Sequence, residues 1–355
     1  MALPLVSVIV PGHDASATVE ACLPAFASQT WPRDRCEILY VDDASTDGSA
    51  ELAMRWADRV IRLTGSRAGP AAARNVGVGA SSGEFLVFID ADVVVRPDTL
   101  SAVVQHLVDE PGLDAIFGSY DQEPAHPGWV SQYRNLLHHY VHQTSRGDAQ
   151  TFWTGCGAVR RSSFERIGGF DSRWRYMHDV ELGYRMRGAG MRIRLAHSIQ
   201  VKHLKRWTFL GMLRTDIFGR GIPWTRLLLG QGLRAPGMGD LNLTWVSQAS
   251  IPLAWGAASM LPAAYWQPWL LPWALGAAGL VMLMNLPTYA FFSRIRGVGF
   301  ALRAVPLHFL YHLCNGVSVL GGILWWGVVD RALPRLRPIG AARGPRLGGG
   351  TSATP

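Results

Sequence analysis

Asp90 and Asp92 stand one residue apart at the end of the apolar run Phe85-Leu86-Val87-Phe88-Ile89, in the stretch EFLVFIDAD. Two carboxylates at that spacing repel each other and lose hydration when buried, so a positive partner is expected beside them. A hard divalent cation carrying a nucleotide diphosphate meets that requirement, because Mg2+ is commonly held by one or two carboxylates plus substrate phosphates. The plainer reading is a strand followed by a capped turn, since Pro97 and Asp98 mark the start of a helix. Further acidic positions weigh against it. The stretch EILYVDDASTDGS ends a second strand on Asp42 and Asp43. An Asp at such a rim can accept the ring N–H of a pyrimidine, whereas helix capping is the competing use for one of the pair. In HDVELGYRMRGAG, Val180, Tyr184 and Arg187 fall at helical spacing and place Asp179 in the first turn, where the helix dipole favours a carboxylate; capping is again the competing use.

The elements that must carry these residues alternate along the first part of the chain. Leu5 to Val10, Glu37 to Val41, Arg59 to Leu63 and Phe85 to Ile89 read as strands. Ala15 to Gln29, Ser49 to Ala57, Ala71 to Ala80 and Asp98 to Val108 read as helices. That order predicts an α/β fold with a doubly wound, mostly parallel sheet, whose ligands collect at the carboxyl ends of the strands. No glycine-rich phosphate loop of the dinucleotide or P-loop type occurs, which argues against a dehydrogenase or an NTPase. The four cysteines are scattered without metal-type spacing, and the chain enters its first strand with no basic leader. A reduced, cytosolic setting is therefore expected for this part.

After about residue 240 the character changes. Residues 244 to 264, 268 to 290 and 304 to 329 contain no Asp, Glu, Lys or Arg. Each approaches the ~20 residues that cross a bilayer, with Trp245, Trp266, Trp269, Trp325 and Trp326 at their edges. Three transmembrane helices are expected, although the arginines from Arg331 onward conflict with the positive-inside rule and leave the third crossing open. Before them, 207 to 240 mixes apolar and basic residues. Phe209, Leu210, Leu213, Ile217 and Phe218 can line one helical face with Arg214 and Arg220 elsewhere on the surface, an interfacial helix lying on the membrane. The basic tail, 331 to 355, reads as disordered. The net charge of +8 is spread out and thickens beside the apolar segments, which favours anionic lipid and pyrophosphate over nucleic acid.

Taken in order, VSVIVPGHD, VDDASTDGS, GPAAARNVGVGASSGEFLVFIDAD and HDVELGYRMRGAG resemble the inverting, family-2-type nucleotide-sugar glycosyltransferases of GT-A fold, over about residues 5 to 210. The resemblance implies that Pro11, His13 and Asp43 surround the nucleoside and that Arg74 and Asn75 lie beside the donor. It further implies that Asp90 and Asp92 hold a divalent metal (Mn2+ or Mg2+) and the diphosphate, Asp92 as the direct ligand. Asp179 matches the residue that takes the proton from the acceptor hydroxyl, although His178 replaces the acidic residue usual before it. The run His203-Leu204-Lys205-Arg206-Trp207 resembles the Gln-x-x-Arg-Trp motif of membrane glycan synthases, with His for Gln. Arg206 would steady the diphosphate, Trp207 would offer a sugar-stacking face, and His203 is a further candidate metal ligand. Gly155 and Cys156, in TFWTGCGAVRR, match the acceptor-side loop.

These readings converge on a metal-dependent glycosyltransferase of the cytoplasmic membrane. Residues 1–206 are expected to form the cytosolic catalytic domain, 207–240 an interfacial segment and 241–330 a multi-pass membrane region. The donor is a nucleotide-sugar, with UDP favoured through Asp43, and the acceptor a hydroxyl on a membrane lipid or lipid-linked glycan. A polyprenyl-phosphate acceptor and a non-catalytic nucleotide-sugar-binding scaffold remain as alternatives.

Overall fold

A computed structural model of the chain describes residues 3–230, 241 and 243–330. The tail 331–355 and the end of the expected interfacial segment, 231–240, lie outside the described residues. The core is a single sheet ordered β3-β2-β1-β4-β7-β6-β8-β5. Its strands are β1 (Val6–Gly12), β2 (Cys36–Asp43), β3 (Arg59–Leu63), β4 (Phe85–Ile89), β5 (Val93–Val94), β6 (Ala115–Tyr120), β7 (Cys156–Arg160) and β8 (Ile193–His203). β3, β2, β1 and β4 run parallel, β7 is antiparallel to both β4 and β6, and β6 is again parallel to β8. All four strands expected from the sequence are present, and β1 and β2 each run on past Val10 and Val41 to Gly12 and Asp43.

β4 is buried along its whole length because helices cover both faces of the sheet. Alternation then sorts its side chains. Val6, Val8, Val10, Tyr40, Phe85, Val87 and Ile89 pack with α1 (Ser16–Cys22), α2 (Ser49–Ala53) and α4 (Thr99–Asp109). Ile9, Leu86 and Phe88 pack with α3 (Pro70–Gly79), α6 (Arg161–Ile167) and α7 (His178–Gly188). The same alternation separates the two acidic neighbours of β2: Asp42 continues the Tyr40 face and Asp43 the Val41 face. α5 (Trp129–Thr144) lies on β6 and β8 and reaches toward the C-terminal helices.

The chain then builds α8 (Phe209–Arg214), a π-helical turn (Thr215–Gly221) and α9 (Ile222–Gly230). Thr208 caps α8 by accepting the Gly211 N–H. The three uncharged stretches become α10 (Trp245–Ala263), α11 (Leu270–Met284) bent into α12 (Leu286–Arg296), and α13 (Val298–Trp325). Among the described residues one helix, Val298–Asp330, is long and apolar enough to cross a membrane. The pair α11 and α12, bent by 60°, adds a second if it counts as one span. α10 does not reach that standard; it carries two internal prolines together with Ser247, Gln248, Ser250 and Ser259.

Candidate functional site

β1 sends its connection toward β2 on one side, while β4 lies on the other side of β1, so the strand order reverses between them. Ligands of doubly wound sheets bind outside the carboxyl ends at such a point. A cleft of 1040 Å³ lies there, lined by Pro11, His13, Asp43, Arg74, Asp90 and Asp92 from the sheet rim, by Asp179 from α7, and by His203, Arg206 and Trp207 after β8. Ten of the thirteen residues singled out in the sequence thus face one space.

At the rim, His13 Nδ1 lies 2.7 Å from the Asp43 carbonyl, which ties the end of β1 to the end of β2. The Asp43 carboxylate is buried and accepts the Ala68 and Gly69 N–H groups, both at 2.8 Å. It therefore anchors the loop that precedes α3 as well as lining the cleft. Asp42 points to the opposite face, where its Oδ1 is buried without a partner.

Arg74 projects from α3 into the floor of the cleft and is 2% exposed. Its Nη2 pairs with Asp90 and its Nη1 lies 2.7 Å from His178 Nε2. A guanidinium only donates, so His178 Nε2 accepts and the ring is neutral with its proton on Nδ1. Desolvation inside the cleft pushes the Asp90 carboxyl up; Arg74 opposes this, and the charges of Asp92 and Asp179 add to it. Asp92 differs. Its Oδ2 stands 3.4 Å from His203 Nε2, and against the cost of desolvation this contact holds its carboxyl below the usual range. His203 is itself oriented: Nδ1 donates to Asn135 Oδ1 at 2.6 Å, and the ring stacks on Tyr120 with centroids 4.0 Å apart.

These residues fit a hard divalent cation. Carboxylate oxygens with one imidazole whose other nitrogen is fixed by a second residue form a familiar donor set. Among the described residues no group of three or more acidic, His or Cys side chains is already gathered as a metal cage. Asp92 and His203, with the Arg74-paired Asp90 beside them and phosphate oxygens completing the shell, is the arrangement that matches.

Asp179 is the second residue of α7, which begins directly after Met177, whose φ of +60° turns the chain into the helix. One oxygen accepts the Val180 N–H at 2.9 Å and the other approaches the Thr154 N–H at 3.5 Å. The preceding His178 points toward Arg74 and Phe170. Burial first, and Arg74 second, bring its pKa down to about 4 from 6.5. Between those values the unfolded chain takes up a proton that the folded protein refuses, so stability is full above pH 6.5 and declines as pH falls toward 4. The melting temperature of His178→Gln is expected to fall less steeply than that of the wild type across this window. Parallel slopes would assign the acid sensitivity to other groups.

Three expectations need correction. Asn75 does not line the cleft: its amide donates to the Phe170 carbonyl at 2.7 Å and accepts the Phe170 N–H at 3.0 Å. It clamps the loop leading to α7. Gly155 and Cys156 are also absent from the cleft wall, and Trp153 and Thr154 take that place. A Cβ on Gly155 would lie 2.1 Å from the Trp153 ring, so the glycine exists to let that ring lie against the backbone. Cys156 is fully buried opposite Ile89 in the sheet, and burial pushes its thiol up to about 12. Arg220, expected on the surface of an amphipathic helix, instead lines the cleft, because the π-helical turn rotates it inward.

The sequence reading also missed Arg134, His138 and His142, which line the cleft from α5. Their four-residue spacing on one helical stripe is the signal that marks them. Trp207 lines the cleft but is 7% exposed, with Lys205, Arg134 and Arg220 arranged over its ring.

With this geometry in view, residues 7–168 match the family model described as Glycosyl transferase family 2. The chain is 28% identical over 201 residues to the glycosyltransferase AglE of Haloferax volcanii, covering 56% of this chain and 66% of that protein. It is 25% identical over 205 residues to the probable glycosyltransferase YdaM of Bacillus subtilis, covering 54% and 49%. The match therefore spans between about half and just under two thirds of these relatives. Among solved structures, the mannosyltransferase PcManGT of Pyrobaculum calidifontis, in complex with GDP-Man and Mn2+, aligns with a TM-score of 0.55 at 21% identity over 90% of this chain and 88% of that one. At that identity it establishes a shared fold.

Proposed function

We propose that this chain, a member of the family 2 glycosyl transferases through its residues 7–168, is a membrane-anchored inverting enzyme that moves a sugar from a nucleotide-sugar to a hydroxyl of a lipid-linked or glycan acceptor. The observation that carries this reading is one cleft in which Asp92 faces His203 Nε2 at 3.4 Å while Asp179 opens onto the same space. Pro11, His13 and Asp43 would flank the nucleoside. Asp92, with Asp90 and His203, would hold Mn2+ or Mg2+, which when bound neutralises the diphosphate charge. Arg74 keeps Asp90 in place and Arg206 meets the diphosphate from the other side. Asp179 takes the acceptor proton, and Trp153, Thr154 and Trp207 border the acceptor.

Membrane anchoring is supported by the uncovered apolar surface of the C-terminal helices. Leu275, Leu283, Leu324 and Val328 are exposed, and Tyr265, Trp266, Trp269 and Trp273 cluster at one end of α11. Metal use is supported by the donor set and by the Mn2+ bound in PcManGT. The preference for UDP rests on Asp43, whose carboxylate lines the cleft while already accepting from Ala68 and Gly69. The deciding experiment is a panel of UDP- and GDP-sugars offered to the purified chain with native membrane lipids, with and without Mn2+, and with product detected by mass. A metal-dependent lipid-linked product with a UDP-sugar is expected. Nucleotide binding without transfer from any donor would point to a scaffold.

A further inference from the structure

The cleft has a second charged end that donor chemistry leaves unused. Arg134 from α5 and Arg220 from the π-helical turn both line it, each with its guanidinium carbon about 6 Å from the Trp207 ring (6.0 and 5.9 Å). Lys205 Nζ sits 4.4 Å from the same ring centroid. Three cations share one aromatic ring. Lys205 faces the charge of Asp92, whereas Asp216 accepts from Arg134 Nη2 at 2.6 Å and is not part of the cleft wall. Arg134 Nε is buried with no partner, and Asp216, which pairs with Arg134, attracts Arg220 only through space. Burial first, and Arg134 second, hold Arg220 below its ordinary value. One carboxylate for two desolvated guanidinium groups leaves an excess of positive charge, which is costly and calls for an anion that arrives later. Two guanidinium forks lining one cleft match the oxygens of a phosphoryl group better than those of a single carboxylate.

The surroundings identify where that phosphoryl group comes from. The segment that supplies Arg220 also exposes Phe209 (44%), Leu210 (75%) and Phe218 (61%). A headgroup held in the cleft would leave its hydrocarbon chain against this apolar face. We propose that Arg134 and Arg220 form an acceptor subsite that grips the phosphoryl group of a lipid-linked acceptor, a refinement that rests on the transferase reading above. The subsite is built from α5 and the π-helical turn, whereas the donor's diphosphate belongs to the strand rim.

The test measures binding of farnesyl phosphate, farnesol and inorganic phosphate to the purified chain in detergent micelles. Arg220 is the residue to change, because removing Arg134 would strand Asp216 as a buried unpaired charge. Arg220→Gln is expected to weaken farnesyl phosphate roughly ten- to hundredfold, as the loss of a charge-assisted contact implies. Farnesol affinity should not move, and Arg220→Lys should recover part of the loss at a matched melting temperature. Inorganic phosphate binding the wild type as tightly as farnesyl phosphate would overturn the lipid assignment in favour of a free anion. If Arg220→Gln instead weakens UDP or GDP in Mn2+ and spares farnesyl phosphate, Arg220 serves the donor and the subsite falls. Absence of transfer in the donor panel, with farnesyl phosphate binding still dependent on Arg220, would sink the transferase reading alone.

Discussion

Asp92→Ala is expected to remove the metal-dependent part of nucleotide affinity and to lower transfer by at least about 10²–10³-fold, the scale seen when a preorganised electrostatic contact is deleted. The size follows from how few groups share the task. Asp90 already gives an oxygen to Arg74, whereas Asp92 faces only His203 across 3.4 Å. Asn135 holds the His203 Nδ1 proton, so Nε2 presents a lone pair to the carboxylate when the ring is neutral. Two acceptors facing each other are comfortable only with a cation or a proton between them. Without Asp92 the remaining ligands are one imidazole and one engaged carboxylate. Titration of nucleotide with and without Mn2+ checks this directly. Equal affinity for wild type and variant in the presence of metal would mean that the diphosphate is held elsewhere.

Asp179→Asn should preserve nucleotide affinity and reduce transfer about 10²–10⁴-fold, the usual contribution of a positioned general base. Asparagine keeps the side-chain shape, and its carbonyl oxygen can still accept the Val180 N–H. The left-handed turn at Met177 and the Arg74–His178 contact do not involve the Asp179 side chain, so the helix start should be unchanged. What is lost is the capacity to take a proton. Single-turnover transfer with saturating donor separates this from a folding defect. Near-wild-type transfer would identify a nucleophile that is already ionised, a phosphate oxygen of the acceptor, and would remove the base role from Asp179.

Much of the site was legible in the chain because it depends on short-range pattern. An apolar run of strand length closing on Asp-x-Asp, a second run closing on two aspartates and an acidic first helical turn each reflect local periodicity and capping chemistry. The errors share a cause. Arg74 and Asn75 share the segment that resembles the family's donor side, yet successive residues on a helix point about 100° apart, so Arg74 enters the cleft and Asn75 reaches the Phe170 backbone. In TFWTGCGAVRR, pairing with Ile89 turns Cys156 inward and the Trp153 ring covers Gly155. Arg220 was assigned by α-helical periodicity to a surface, and the π-helical turn changes that phase.

Hydrophobic period and residue type along a few consecutive positions were enough to mark the four strands of the parallel half, their rim of carboxylates and the apolar C-terminal region. Which of those carboxylates work together follows from packing. It brought Asp92 to His203, Arg74 to Asp90, and Arg134 to Arg220 around Trp207, pairs separated by many residues whose meeting depends on helix phase and strand order. Charges interact through space rather than along the chain, so the partner that sets each group's chemistry appears only when the packing is known.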